Sequence, residues 1–189
     1  NLLDCSTAVK AVHFPSTTSH VLPATSRLAF DELLNLHLTT LIRRKLWSAH
    51  QTTHSFTINQ DQILKFINSL PFTLTQGQND AVKTILTDLS ASIPMNRLLQ
   101  GDVGSGKTVV AAIAIYAAFL NGFQSVLMAP TQILAHQHEL TLRSFLEPLG
   151  VTISLVTGSQ KPSALSLKRS SVLLGTHTLL HHPEFFTNV

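Results

Sequence analysis

Residues 101–108 read Gly101-Asp102-Val103-Gly104-Ser105-Gly106-Lys107-Thr108 and fit the pattern G-x-x-x-x-G-K-[ST]. Glycines let the backbone curl so that successive N–H groups face one concavity, an anion nest. A helix opening at the end of such a loop points its positive dipole end at the same anion. Lys107 brings a point charge to β- and γ-phosphates, and the Thr108 hydroxyl is placed to ligate Mg²⁺. A Gly-rich turn can match so short a pattern by chance, so the flanks decide.

Before the loop, residues 95–100 carry the apolar pair Leu98-Leu99, suited to a short buried strand. After it, residues 109–120 are apolar on all sides and rich in Ala, as a helix buried against a sheet must be. Asn121-Gly122 ends that helix. Strand, Gly-rich loop and buried helix make a phosphate-binding unit, and the expectation is ATP with Mg²⁺.

Bulk properties narrow the setting. The 189 residues allow one full domain, or one domain with a connector. Hydrophobic residues make up 44% and support a sizeable core, while charged residues are only 12%. A net charge of +3 is too mild to argue by itself for nucleic acid. The single cysteine, Cys5, excludes an internal disulfide and fits a reducing compartment. No signal-peptide pattern opens the sequence, and the longest apolar run is too short to span a bilayer. The expectation is a soluble, cytoplasmic protein without a membrane partner. The first residue is not Met and both ends look cut, so a fragment is expected.

Residues 1–24, with Pro15, Pro23 and several Ser and Thr, read as a loop-rich lead-in. Residues 27–47 place Phe30, Leu33, Leu34, Leu38, Leu41, Ile42 and Leu46 at helical spacing. The triplet Arg43-Arg44-Lys45 is read as a charge cluster near that helix's C-terminus in preference to a phosphate contact. Residues 50–57 read as a polar loop and 61–68 as a short helix. Pro71 sets the domain boundary near Leu70. Thr75-Gln76-Gly77-Gln78 spells a capping box opening a helix over 75–90. The Gln78 amide, both donor and acceptor, also suits an adenine edge, and the two roles are compatible.

Residues 125–129 read as a strand ending at Pro130, and 131–145 as a helix. Residues 151–156 and 171–175 read as further strands, with a variable helix over 163–169. This alternation predicts an α/β fold: a parallel sheet with helices on both faces, preceded by a helical linker. Ligands of such sheets sit at the carboxyl ends of strands, where the phosphate loop and the turns after Ala129, Val156 and Leu174 fall.

Several segments together resemble the RecG family of bacterial superfamily 2 DNA helicases, which remodel stalled replication forks. They are Pro71-Phe72-Thr73-Leu74-Thr75-x-x-Gln78, residues 94–108, Met128-Ala129-Pro130-Thr131 and Leu134-Ala135-x-Gln137-His138. Pro148-Leu149-Gly150, Thr157-Gly158-Ser159 and Gly175-Thr176-His177-Thr178-Leu179 continue the likeness. Upstream, His13-Phe14-Pro15 and residues 27–34 look like the segment joining the wedge domain of those helicases to their motor. The transcription-repair coupling factor is a near relative, and PriA-type helicases fit less well.

The resemblance implies a RecA-like motor lobe. Residues 1–70 then form a helical linker following a wedge domain, and 71–189 the N-terminal part of motor lobe 1. It assigns Gln78 to adenine recognition and Gly101, Asp102, Val103, Gly104, Ser105, Gly106, Lys107 and Thr108 to ATP, with Mg²⁺ on Thr108. It assigns Pro130, Thr131, Gln132, Thr157, Gly158, Ser159, Gly175, Thr176 and His177 to the DNA side. Hydroxyls and backbone N–H groups at strand ends suit phosphate oxygens, although each Thr or Ser also suits a turn or cap. His177 suits DNA and a local turn equally. His181-His182 lacks a second ligand pair at metal spacing, so zinc is not expected.

Gln132 and His136 stand where these helicases commonly have Glu, and Thr178 where Ala is usual. The family's Asp-Glu-Gln-His motif, its second motor lobe and most of its wedge would lie outside these residues. The implied parent is a monomeric ATP-dependent helicase on branched or forked DNA, and this fragment alone is expected to be inactive. A coupling factor-like translocase, a stand-alone nucleotide-binding module or small kinase, and a non-catalytic remnant are the alternatives. A kinase needs acidic catalytic residues, and only ten acids are present, none placed after a strand.

Overall fold

A computed structural model of the chain describes residues 2–49, 55–158 and 171–186. Two compact units emerge, Asn1–Gln51 and Thr52–Val189. The first is a pair of helices, α1 (Cys5–His13) and α2 (Thr18–Ala49). Asp4 caps α1 by accepting from the Thr7 N–H at 3.0 Å. Hydrogen bonding from Thr7 holds the Asp4 carboxyl below its ordinary value. The two helices pack so closely that Ala8 and Ala24 lose all exposure.

The lead-in expected to be loop-rich is therefore helical over Cys5–His13 and again from Thr18, with a break at Phe14–Thr17, where Pro15 sits. Pro23 lies inside α2, in its second turn. There it removes one backbone bond close to an end whose first N–H groups lack intrahelical partners anyway. The Ser and Thr residues serve the helix start: Ser16 Oγ pairs with His20 Nδ1 at 3.0 Å, and Thr25 Oγ1 donates to the Val21 carbonyl at 2.9 Å. Helix α2 runs on to Ala49, so Arg43-Arg44-Lys45 lies within the helix.

The second unit is built around α5 (Lys107–Leu120), in which Val109, Val110, Ala112, Ile113, Ile115, Tyr116, Ala117 and Ala118 are buried. Its neighbours are α3 (Gln60–Ser69), α4 (Gln76–Leu89) and α6 (Gln132–Leu146). The strands β1 (Ser125–Met128), β2 (Ile153–Val156) and β3 (Val172–Gly175) form one parallel sheet in the order β1-β3-β2. Met128 and Val156 both pair with Gly175, so the three carboxyl ends are level. Ile153, Leu155, Val172 and Leu174 face the main core with α5 and α6. Val156 and Leu173 face the other side, where Leu179 and Phe185 of short 3-10 turns, with Phe186 just beyond, cover them. The alternation follows from the period of two along a strand. The helix read over 163–169 lies outside the described residues.

Two expectations change. Contacts divide the chain after Gln51, not near Leu70, because α3 packs on the phosphate-loop helix. Phe66 of α3 is fully buried and meets Tyr116 edge-on at 5.2 Å. Residues 95–100 form no strand pairing among the described residues. A strand is defined by its ladder, and here Met95 and Leu99 pack on the core while Leu98 stays 85% exposed. Arg97 Nε instead ties the segment to Asp88 at the end of α4, at 2.5 Å.

Truncating the Phe66 ring leaves a cavity against Tyr116. Phe66→Ala is expected to destabilise the Thr52–Val189 unit by about 3–5 kcal/mol, read as a lower denaturant midpoint in chemical unfolding.

Candidate nucleotide-binding site

Among the described residues four helices begin under a side-chain cap: Asp4 on α1, Asn59 on α3, Thr75 on α4 and Thr131 on α6. Helix α5 does not. Its N-cap is Gly106, in the left-handed region at φ 80°, and no side chain bonds its first turn. Gly104 is also left-handed, at φ 81°. An L side chain would cost about 1–2 kcal/mol in that conformation. The loop is therefore shaped by its glycines, and the N-terminal N–H groups of a buried helix are left to an outside acceptor. That arrangement favours an anion.

The cation of the site is already in place. Lys107 Nζ donates to the carbonyls of Gly101 and Asp102, both at 2.7 Å. These bonds curl the side chain back over the loop and hold the ammonium beside the uncapped helix end. Ser105 N–H closes the turn onto the Asp102 carbonyl at 3.2 Å, and Val103 stands fully exposed at the tip. A Cβ on Gly101 would lie 2.7 Å from Ser105 Oγ, so this glycine answers to close approach. Thr108 follows Lys107 in the first turn and is half-buried. Among the described residues no group of three or more His, Cys, Asp or Glu is placed to hold a metal.

Gln78 does two things at once. Its Oε1 accepts from the Thr75 N–H at 2.9 Å while Thr75 Oγ1 accepts from the Gln78 N–H at 3.3 Å, completing the capping box. Its Nε2 donates to the Ser105 carbonyl at 2.9 Å, tying α4 to the phosphate loop. One lone pair and one N–H of the amide remain for a base edge. The tie sets the spacing tightly, since a Cβ on Gly106 would lie 2.4 Å from Gln78 Nε2.

The other candidate residues lie after the strands. Only residues 121–124 separate α5 from β1, so the helix runs antiparallel to that strand. Its N-terminus, with the phosphate loop, thus lies toward the edge where the strands end. Pro130, Thr131, Gln132, Gly158 and His177 are exposed at this edge. Thr131 Oγ1 accepts from the Leu134 N–H at 3.3 Å and so caps α6. The Gln132 amide nitrogen would lie 3.3 Å from a Cβ on Gly158, which brings the turns after β1 and β2 together. Thr157 and Thr176 are buried, and Thr176 Oγ1 pairs with Thr178 Oγ1 at 3.1 Å. Gly175 is a packing glycine, since a Cβ there would meet the Val156 carbonyl at 2.3 Å. Ser159 lies outside the described residues.

Sequence reading missed a ladder on α6 that ties this helix to the start of β2. Glu139, 8% exposed, accepts from Arg143 Nε and Nη2 at 3.0 and 2.9 Å and meets His136 Nδ1 at 3.0 Å. Arg143 also bonds Glu147, and its Nη2 reaches the Ile153 carbonyl on β2 at 2.9 Å. Burial works to lower the Arg143 pKa, but the bonds to Glu139 and Glu147 raise it above the ordinary value, so it stays charged. The spacing of three and four residues was a legible signal.

Gly106→Ala places a methyl group against Gln78 in a backbone region hostile to L residues. It is expected to abolish binding of a fluorescent ATP analogue while the far-ultraviolet circular dichroism stays helical. Retained affinity would show that the loop does not hold the nucleotide.

Comparison with known proteins bears on this geometry. The DEAD/DEAH box helicase family matches residues 75–188. The chain is 44% identical over 192 aligned residues to an ATP-dependent DNA helicase RecG of Synechocystis sp., covering 98% of this chain and 23% of that protein. It is 40% identical over 186 residues to the RecG of Bacillus subtilis, covering 95% of this chain and 27% of that protein. A solved structure of RecG bound to a three-way DNA junction superposes with a TM-score of 0.84 at 38% identity, covering 100% of this chain and 27% of that one. The chain thus spans about a quarter of the length of these relatives. With a phosphate loop on a buried helix, level strand ends and a match over most of its length, the chain belongs to the DEAD/DEAH box helicase family.

Proposed function

We propose that this chain forms the ATP-binding part of the first motor lobe of a RecG-like, ATP-dependent DNA helicase, with a helical linker before it. The observation that carries the reading is the uncapped N-terminus of α5 beside Lys107. Backbone N–H groups of residues 104–108 and the Lys107 ammonium hold the β- and γ-phosphates, and Thr108 ligates Mg²⁺. Gln78 reads the adenine edge through the free half of its amide. Interactions of this kind position the triphosphate and neutralise its charge, which is most of what phosphoryl transfer asks of a protein.

The strand-end edge is assigned to DNA. Thr131, Gln132, Gly158 and His177 are exposed there. They would meet phosphate oxygens, which fix register without reading sequence. Pro130, Thr157, Gly175 and Thr176 would shape that edge more than touch the strand. The RecG structure carrying a three-way junction supports branched DNA as the substrate class of the parent. Such a motor works in the cytoplasm, at the nucleoid, alongside a wedge domain and a second lobe of the same protein.

Hydrolysis needs a positioned water and an acid near the metal. Strands β1, β2 and β3 are followed by Ala129, Thr157 and Thr176, none of them acidic. The isolated 189-residue polypeptide is therefore expected to turn over ATP negligibly in a phosphate-release assay. Robust turnover by the purified polypeptide would contradict this division of labour.

In the full-length parent, Lys107→Ala is expected to cut DNA-stimulated ATP turnover by on the order of 10²-fold or more. Forked DNA should stimulate the wild-type parent more than linear duplex of equal length. Unchanged turnover in the variant would sink the phosphate assignment. Equal stimulation by linear duplex would favour a coupling factor-like translocase.

A further inference from the structure

Helices α4 and α5 are tied together at both ends, and the two ties are of different kinds. At their N-termini, Gln78 of α4 donates to the phosphate-loop carbonyl of Ser105 at 2.9 Å. At their C-termini, the two residues Phe56 and Thr57 bridge them. Phe56 N–H donates to the Leu89 carbonyl at the end of α4, at 3.1 Å. Thr57 N–H donates to Asn121 Oδ1 at 2.7 Å, and Asn121 Nδ2 returns a bond to the Thr57 carbonyl at 3.2 Å. The same Nδ2 donates to the Ala117 carbonyl at 2.8 Å, fixing the amide on the last turn of α5. The Phe56 ring stacks on Phe123 at 5.1 Å and 8°.

The two helices therefore run parallel. Each has 14 residues, which makes each about 20 Å long. Between the ties lie buried side chains of one core, among them Val82 and Ile85 of α4 and Val109 and Ile113 of α5. Close-packed interiors pass displacement on instead of absorbing it. Phe56 is half-buried and Thr57 exposed, so hydrogen bonds and one ring stack hold them in place more than burial does. In sequence these residues come between the N-terminal unit and α3.

We propose that Asn121, Phe56 and Thr57 form a clasp through which the state of the nucleotide site reaches the first described residues of the Thr52–Val189 unit. The proposal rests on the nucleotide reading given above. Phosphate drawn into the loop engages its N–H groups, turns the Ser105 peptide and so alters the Gln78 tie to the Ser105 carbonyl. A change in the relative position of α4 and α5 then alters the gap between Leu89 and Asn121, which the clasp spans. Asn121 is a positioning residue in this scheme and touches neither nucleotide nor DNA.

Hydrogen exchange of residues 56–58 in the full-length parent tests this, with and without a non-hydrolysable ATP analogue and Mg²⁺. In the wild-type protein, analogue binding should change the exchange rate of the Thr57 amide by about threefold or more. In Asn121→Ala, analogue affinity should stay within about twofold of wild type while that change disappears. If the analogue binds and Thr57 exchange is unaltered in the wild type, the clasp is only a structural staple and the proposal falls. Loss of analogue affinity in Asn121→Ala would likewise overturn it. If the analogue does not bind the wild type at all, the nucleotide reading fails first and takes this inference with it.

Discussion

The uncapped N-terminus of α5 is the constraint on which the rest of the structure depends. A helix buried on nearly every side has no freedom to turn its end toward water at will. Its first turn must find an acceptor, and here Gly106 at φ 80° supplies shape and no cap. The burial of Ile113, Ala117 and their neighbours fixes where that end points. The core thereby aims a positive helix end, and Lys107, folded back onto two carbonyls, adds the full charge. Stability and the proposed function meet in one element, because the helix that organises the core also carries the proposed anion site.

Around that helix the sheet supplies direction. Parallel strands with level carboxyl ends gather the turns after β1, β2 and β3 on one edge. The short connection from α5 to β1 sends the phosphate loop toward the same edge. The proposed nucleotide and DNA contacts then share one edge of the sheet, with the Glu139–Arg143 ladder pinning α6 to the start of β2. The clasp at the opposite end of α5 gives the lobe a second point from which a shift could be read. Both ends of one helix thus acquire a purpose from a single packing decision.

Much of this was legible in the residues. The phosphate loop, the buried Ala-rich helix, the Thr75–Gln78 capping box and the Thr131 cap all depend on contacts within a few positions. What could not be read depends on distance along the chain or on pairing. Asn121 was recognised as a helix stop, but its partner Thr57 lies 64 residues away, and no local pattern announces that bond. Residues 95–100 look like a strand by composition, yet a strand exists only where a neighbour completes its ladder. Pro23 suggested a loop because proline usually ends a helix, but near a helix start it removes little. The boundary placed at Pro71 followed a true chain break. It missed that Phe66, just before it, belongs to the core beyond it.

The central claim is that Gly101–Thr108 holds a nucleoside triphosphate through backbone N–H groups at the head of α5. Amide chemical shifts, followed while ATP and Mg²⁺ are added to the protein, test it most directly. The account predicts the largest changes at Gly104, Ser105, Gly106, Lys107 and Thr108, with a smaller set at Gln78. The contrary result would be a loop left silent while ATP perturbs another depression. One such place is the roughly 310 Å³ groove between α3 and α4, lined by Ile58, Ile63 and Lys83.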